Sequence, residues 1–123
     1  MKNRKDMFGY PVGKPEPVSI VVPCHNASKS IGAVIERLES LDWPKEMLEI
    51  IIVDDASTDG SQKIIKEYAK KYNNIKYIFR KKNFGKAAGP TNQGIKISKY
   101  DYVAVCDDDS IPDRDILKKT IGF

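Results

Sequence analysis

Three short apolar runs, each closing on a polar cluster, constrain this chain more than any other feature. "VSIVVP" (18–23) leads into Cys24-His25-Asn26, "LEIIIV" (48–53) into Asp54-Asp55, and "DYVAVC" (101–106) into Asp107-Asp108-Asp109. Near-continuous apolar runs of this length suit strands buried on both faces, which is the habit of parallel sheets. The stretches between them carry helical spacing. In "ASKSIGAVIERLESL" (27–41) the apolar positions are Ile31, Val34, Ile35, Leu38 and Leu41, with Ser28 or Ser30 placed to cap. "SQKIIKEYAKKY" (61–72) predicts a second helix with Ile64, Ile65 and Tyr68 inward, and "NIKYIFR" (74–80) a further strand. After a loop, "KKNFGKAAG", come two more helices: "PTNQGIKISK" (90–99), with Pro90 in its first turn, and "PDRDILKKTI" (112–121), with Pro112 at its start.

Strand–helix alternation with short connections predicts a three-layer α/β/α domain with a mostly parallel sheet. Right-handed crossovers and a shared site predict the strand order 3-2-1-4, which makes the first and fourth strands neighbours. Cys24 and Cys106 are then expected near each other and unbonded. In such sheets ligands bind beyond the carboxyl ends of the strands, where the order reverses. All three polar clusters belong to that edge. Residues 1–17, with three prolines, read as an extended arm, and residues 18–123 as the folded domain.

Size and charge narrow the classes. A chain of 123 residues fits one domain. Its 21 basic and 17 acidic residues leave a net charge of +4, scattered enough to read as a solvated surface with no nucleic-acid partner. Two cysteines without a His/Cys cluster make a poor zinc site and suit reduced thiols in a cytoplasmic protein. The first 17 residues lack the apolar core of a secretory leader, and no stretch approaches the ~18 apolar residues of a membrane span.

The acidic triplet raises a physical question, because adjacent like charges repel and desolvating them is costly. Asp107 and Asp109 are two apart, so at a strand end both point to one side. Two carboxylates on one side suit a hard divalent cation, Mn²⁺ or Mg²⁺, that also reaches phosphate oxygens. The competing explanation is a surface turn capping the helix that follows. Of Asp54 and Asp55, one can accept hydrogen bonds from a base or ribose while the other caps the next helix with Ser57, Thr58 or Asp59. The glycines of "NFGKAAGPTNQG" permit close backbone approach, and Lys86 can meet a phosphate, although a plain connection has the same composition. His25, the one histidine, reads as a hydrogen-bonded residue rather than a base.

Taken together, "VSIVVPCHN", "EIIIVDDASTDGS", "NFGKAAGPTNQGI" and "DYVAVCDDDS" stand in the order and spacing of a known family. The chain resembles the nucleotide-sugar-binding half of family 2 glycosyltransferases, which are inverting enzymes with the Rossmann-like GT-A fold. The likeness runs from residue 18 to about residue 121. "LDWPKEMLEIIIVDD" looks most like the membrane-embedded polysaccharide synthases of that family.

The resemblance implies roles position by position. Pro23, Cys24, His25 and Asn26 would line the nucleoside, and Asp55 or Asp54 would bind the base. Asn83, Gly85 and Lys86 would lie near ribose and diphosphate. Asp107 and Asp108 would lie against the nucleotide, and Asp107 and Asp109 would hold the Mn²⁺ or Mg²⁺ that stabilises the departing nucleoside diphosphate.

The implied partners are a nucleotide-diphosphate sugar, UDP-sugar first, and a saccharide or lipid acceptor. The implied place is the cytoplasmic side, with a full-length parent attached to the membrane. Two positions depart from the family pattern: Ala27 where an acid is usual, and Thr91 where a basic residue is usual. The family's general base lies in a second half, beyond Phe123, with the acceptor site. The chain is therefore expected to be truncated before the acceptor half, to bind donor, to transfer no sugar alone, and to self-associate through the truncated face.

Two alternatives compete. A response-regulator receiver domain also carries an acidic pair and binds Mg²⁺, but its pair closes the first strand. A non-catalytic nucleotide-binding module differs from the enzyme only in turnover.

Overall fold

A computed structural model of the chain describes residues 4–5, 11–12, 15–81 and 88–121. Four strands, β1 (Val18–Cys24), β2 (Leu48–Asp55), β3 (Ile75–Arg80) and β4 (Tyr102–Val105), form one parallel sheet. Its order is β3-β2-β1-β4, the expected 3-2-1-4. The helices are α1 (Ile31–Glu39), α2 (Ser61–Lys71), α3 (Ala88–Ile97) and α4 (Ile116–Ile121). In the arm, Arg4–Lys5 pairs antiparallel with Pro11–Val12 as a two-residue ribbon.

The central strands are buried on both faces, as their composition requires; all of β2 is buried, including Glu49, Asp54 and Asp55. One face presents Ile20, Val22, Ile50 and Ile52 to Ile31, Val34, Ile35 and Leu38 of α1 and Ile65 of α2. The other face, with Val21, Ile51 and Val53, is covered by α3. The helix sits close enough that a Cβ on Gly94 would stand 2.4 Å from Val21 Cγ1. Glu49 is tolerated inside although burial works against its charge. Lys76, Lys99 N–H and Ser19 all serve its carboxylate and together hold it below the usual range.

Two local expectations change. Neither serine caps α1: the Ser30 hydroxyl instead donates to the Asp108 carbonyl at 2.7 Å, tying the helix start to the acidic triplet. Pro112 stays outside α4, and its carbonyl accepts from Arg37 at 2.8 Å. Pro90 does lie in the first turn of α3. Cys24 and Cys106 are both free; Cys24 ends β1, and the Cys106 N–H donates to Val21 O at 2.9 Å across the neighbouring strand. Among the described residues no helix is long and apolar enough to cross a membrane.

Candidate functional site

The carboxyl edge of the sheet is a single hydrogen-bonded unit with His25 at its centre. The His25 backbone N–H donates to Asp108 Oδ2 at 3.0 Å, toward β4. Its ring Nδ1 lies 2.7 Å from the Asp55 carbonyl, toward β2. A carbonyl only accepts, so Nδ1 carries the proton. Asn26 Oδ1 accepts from Thr58 N–H, which turns the Asn26 amide nitrogen toward His25 Nε2, the accepting end of the ring. The one histidine thus joins the two acidic clusters, as a hydrogen-bonded residue.

The turns after β1 and β2 are stitched together. Asn26 and Ala56 both take positive φ, 47° and 56°, so each strand ends in an abrupt change of direction. Asn26 N–H donates to Ser57 Oγ at 2.8 Å, Ala27 N–H to Ser61 Oγ at 2.9 Å, and Ser28 N–H to Asp59 Oδ2 at 3.0 Å. The Ser61 hydroxyl and the Ser28 N–H hold the Asp59 carboxyl well below the ordinary carboxylate range. The "STDGS" turn is therefore a brace for the β1 turn, a role the sequence reading assigned only to helix capping.

Asp54 and Asp55 divide their labour by strand alternation. Asp54 points to the α2 side, where Ser57 N–H, the Ser57 hydroxyl and Gln62 Nε2 all donate to it. Its side chain is fully buried and its oxygens are spoken for, but it ties down the Ser57 turn and the Gln62 side chain rather than capping α2, whose N-cap Gly60 has no side-chain cap bond. The thiol of Cys24, also buried, is pushed up by its burial first and then by the charges of Asp54 and Asp108. Asp55 points the other way, with Val53. It is 4% exposed, yet its Oδ1 accepts no hydrogen bond among the described residues. The same oxygen faces Arg80 Nε at 3.5 Å, an ion pair longer than a hydrogen bond.

In the triplet, Asp108 is the anchored member, half-buried between His25 and α1. Burial raises its carboxyl above the usual range, Asp109 and Asp107 add to the rise, and the His25 N–H opposes it. The same three charges, after burial, push the Cys106 thiol to about 11 and leave it a poor nucleophile. Asp107 and Asp109 are exposed, and among the described residues neither side chain accepts a hydrogen bond.

The described residues hold no group of three His, Cys, Asp or Glu arranged for a metal ion. β4 ends at Val105 and Asp108–Asp109 form a turn, so strand alternation does not set Asp107 and Asp109 on one side as expected; they offer two exposed carboxylates, of the kind that suit a cation taking most of its shell from water and a ligand's phosphates. Pro23 is half-buried at the end of β1. Asn83, Gly85 and Lys86 lie outside the described residues. Arg80 and Gly89, absent from the sequence-based set, belong to this edge as well: Arg80 ends β3 beside Asp55, and Gly89 opens α3 against it. Only strand register reveals them.

Known proteins resemble this chain in sequence and fold. The family model described as "Glycosyl transferase family 2" matches residues 19–123. The poly(ribitol-phosphate) beta-glucosyltransferase of Bacillus spizizenii is 39% identical over 106 residues, covering 86% of this chain and 17% of that protein. The poly(ribitol-phosphate) beta-N-acetylglucosaminyltransferase TarS of Staphylococcus aureus is 31% identical over 105 residues, covering 85% of this chain and 18% of that protein. The chain thus spans less than a fifth of the length of these relatives.

A solved TarS structure in complex with UDP-GlcNAc superimposes with a TM-score of 0.78 at 31% identity, covering 85% of this chain and 30% of that one. The mannosyltransferase PcManGT of Pyrobaculum calidifontis, in complex with GDP-Man and Mn²⁺, gives 0.81 at 25% identity, covering 89% and 32%. The receiver-domain alternative has no counterpart here: Asp54-Asp55 closes the second strand of the sheet rather than its first.

Proposed function

The chain belongs to glycosyl transferase family 2, and we propose that it is the donor-binding part of an inverting glycosyltransferase that uses a UDP-sugar. The observation that carries this is His25 holding two acidic clusters together at the switch in strand order. One cluster offers a buried acceptor, Asp55, and the other two free carboxylates, Asp107 and Asp109. The Asp55 carboxylate accepts the ring N–H of the base. The turn from Pro23 to Asn26, held open by the Ser57 and Ser61 brace, lines the nucleoside. Asp107 would meet ribose and sugar, and the family pattern assigns Asn83, Gly85 and Lys86, outside the described residues, to ribose and diphosphate. Asp109, with Asp107, would hold a divalent cation, which when bound neutralises charge on the leaving diphosphate. An acidic base anchors neither end of this set. Inversion needs a carboxylate opposite the leaving group, and every carboxylate described at this edge serves the donor or the fold.

The choice of UDP draws support from TarS, bound to UDP-GlcNAc at 31% identity, against 25% for the GDP-Man complex. The proposal extends to the parent's acceptor, a saccharide or lipid, and to transfer requiring more than these 123 residues. Calorimetric titration of UDP, GDP and UDP-sugars with and without Mn²⁺ tests the donor half. UDP is expected to bind more tightly with Mn²⁺, and Asp55→Ala to weaken it about tenfold, the worth of one hydrogen bond to a charged group. Binding of none of them, or binding indifferent to Asp55→Ala, overturns the reading. Transfer of radiolabelled sugar by the chain alone would refute its dependence on further residues.

A further inference from the structure

The environment of Asp55 is built by two residues with no role so far. Asp55 and Arg80 are register partners on neighbouring strands, so their side chains share the α3 face. Arg80 Nε stands 3.5 Å from Asp55 Oδ1, with side chains 15% and 5% exposed. The guanidinium lies against Gly89 in the first turn of α3. An ideal Cβ there would stand 2.6 Å from Nη1, 3.2 Å from Nη2 and 3.3 Å from Cζ. Any side chain at position 89 would occupy the space that the guanidinium fills.

We propose that Arg80, given room by Gly89, is a positioning residue that holds the Asp55 carboxylate aimed at the nucleobase. This rests on the reading of Asp55 as the base acceptor. A buried carboxylate is costly to leave without a partner, and it recognises a base only if it is held in one orientation. Strand register sets Arg80 next to Asp55 but leaves a long side chain free to turn to water. The missing Cβ at Gly89 leaves the guanidinium the space it fills beside the carboxylate.

Glycine is a poor helix former, so alanine at 89 improves local propensity, and the only atoms it displaces are the far end of a flexible arginine. Gly89→Ala therefore separates helix formation from positioning: α3 keeps its backbone while the clamp opens.

The test uses the 123-residue chain and compares UDP with inorganic pyrophosphate, both with Mn²⁺, by calorimetry. Gly89→Ala and Arg80→Met are each expected to reduce the preference for UDP over pyrophosphate about tenfold. Arg80→Lys should retain more of that preference than Arg80→Met. In an Asp55→Ala background, Arg80→Met should cause no further loss.

A preserved preference in Gly89→Ala, or an equal loss for both ligands, overturns the proposal. If wild type binds neither ligand, the donor-binding reading fails, and the clamp is still decided in ligand-free protein. There the Arg80 Nε–H resonance should exchange slowly with water in wild type and rapidly in Gly89→Ala and Asp55→Ala. Unchanged exchange in both variants refutes it.

Discussion

At Asp54 and Asp55 a one-residue step along β2 sends two identical side chains to opposite faces, one into a saturated cage and one to an open acceptor position. Asp54→Ala would strand the Ser57 N–H, the Ser57 hydroxyl and Gln62, and should cost on the order of 2–4 kcal/mol in urea unfolding. The same division holds in the triplet. Asp109→Asn should weaken Mn²⁺-dependent UDP binding far more than metal-free binding, since a carboxamide is a poor ligand for a hard cation. Equal losses with and without Mn²⁺ would remove Asp109 from the metal site.

Glu39, at the last turn of α1, gives a pH prediction. It is 4% exposed, its Oε2 accepts no hydrogen bond among the described residues, and burial raises its carboxyl despite Asn74 and Lys45. A raised carboxyl stabilises the fold while protonated, and that contribution is lost as pH rises through the folded-state value. The glutamine variant avoids this loss, so the melting temperature of Glu39→Gln relative to wild type should climb between pH 4 and pH 7. A flat difference would show that the carboxylate is adequately solvated.

Among the elements, α3 depends most on a single small residue. Gly94 lets the helix backbone rest on Val21 and Val53; a Cβ would meet Val21 Cγ1 at 2.4 Å and Cγ2 at 3.2 Å. Those atoms belong to stiff β-branched side chains within a buried strand, so they yield little. Gly94→Ala should cost about 1–3 kcal/mol by denaturant unfolding, despite its better helix propensity. Gly89→Ala, five residues earlier on the same helix, should strain no backbone, because a flexible arginine gives way there, and its cost is that of loosening the Arg80–Asp55 pair. The contrast between the two variants measures how far α3 is set by its fit to the sheet.

For the molecule as a whole, donor binding and folding are linked. A ligand that binds only the folded state, at 100 times its dissociation constant, adds about 2.7 kcal/mol. UDP with Mn²⁺ should therefore raise the thermal midpoint, and excess EDTA should remove most of the rise. A UDP-induced rise that survives EDTA would place the metal outside the binding site. The brace between the β1 and β2 turns should carry this linkage, since residues 25–28 and 54–62 order together.

Apolar runs at strand length and helices at regular spacing were enough to determine the parallel α/β/α layering, because periodicity reports which faces are buried before any partner is known. The strand order and the shared edge of the three polar clusters followed, since crossover handedness leaves few ways to connect such elements. The assignment of individual roles did not follow. Which aspartate of each cluster is caged and which is open depends on atoms contributed from 30 or 80 residues away, as with His25 on Asp55 O and Asp108. Ser30 reads as a cap in one dimension and serves the Asp108 carbonyl in three. Arg80 and Gly89 reach Asp55 only through β2–β3 register and the approach of α3. Local pattern encodes faces, whereas a site is made of contacts across faces, and those exist only once the sheet has closed its register.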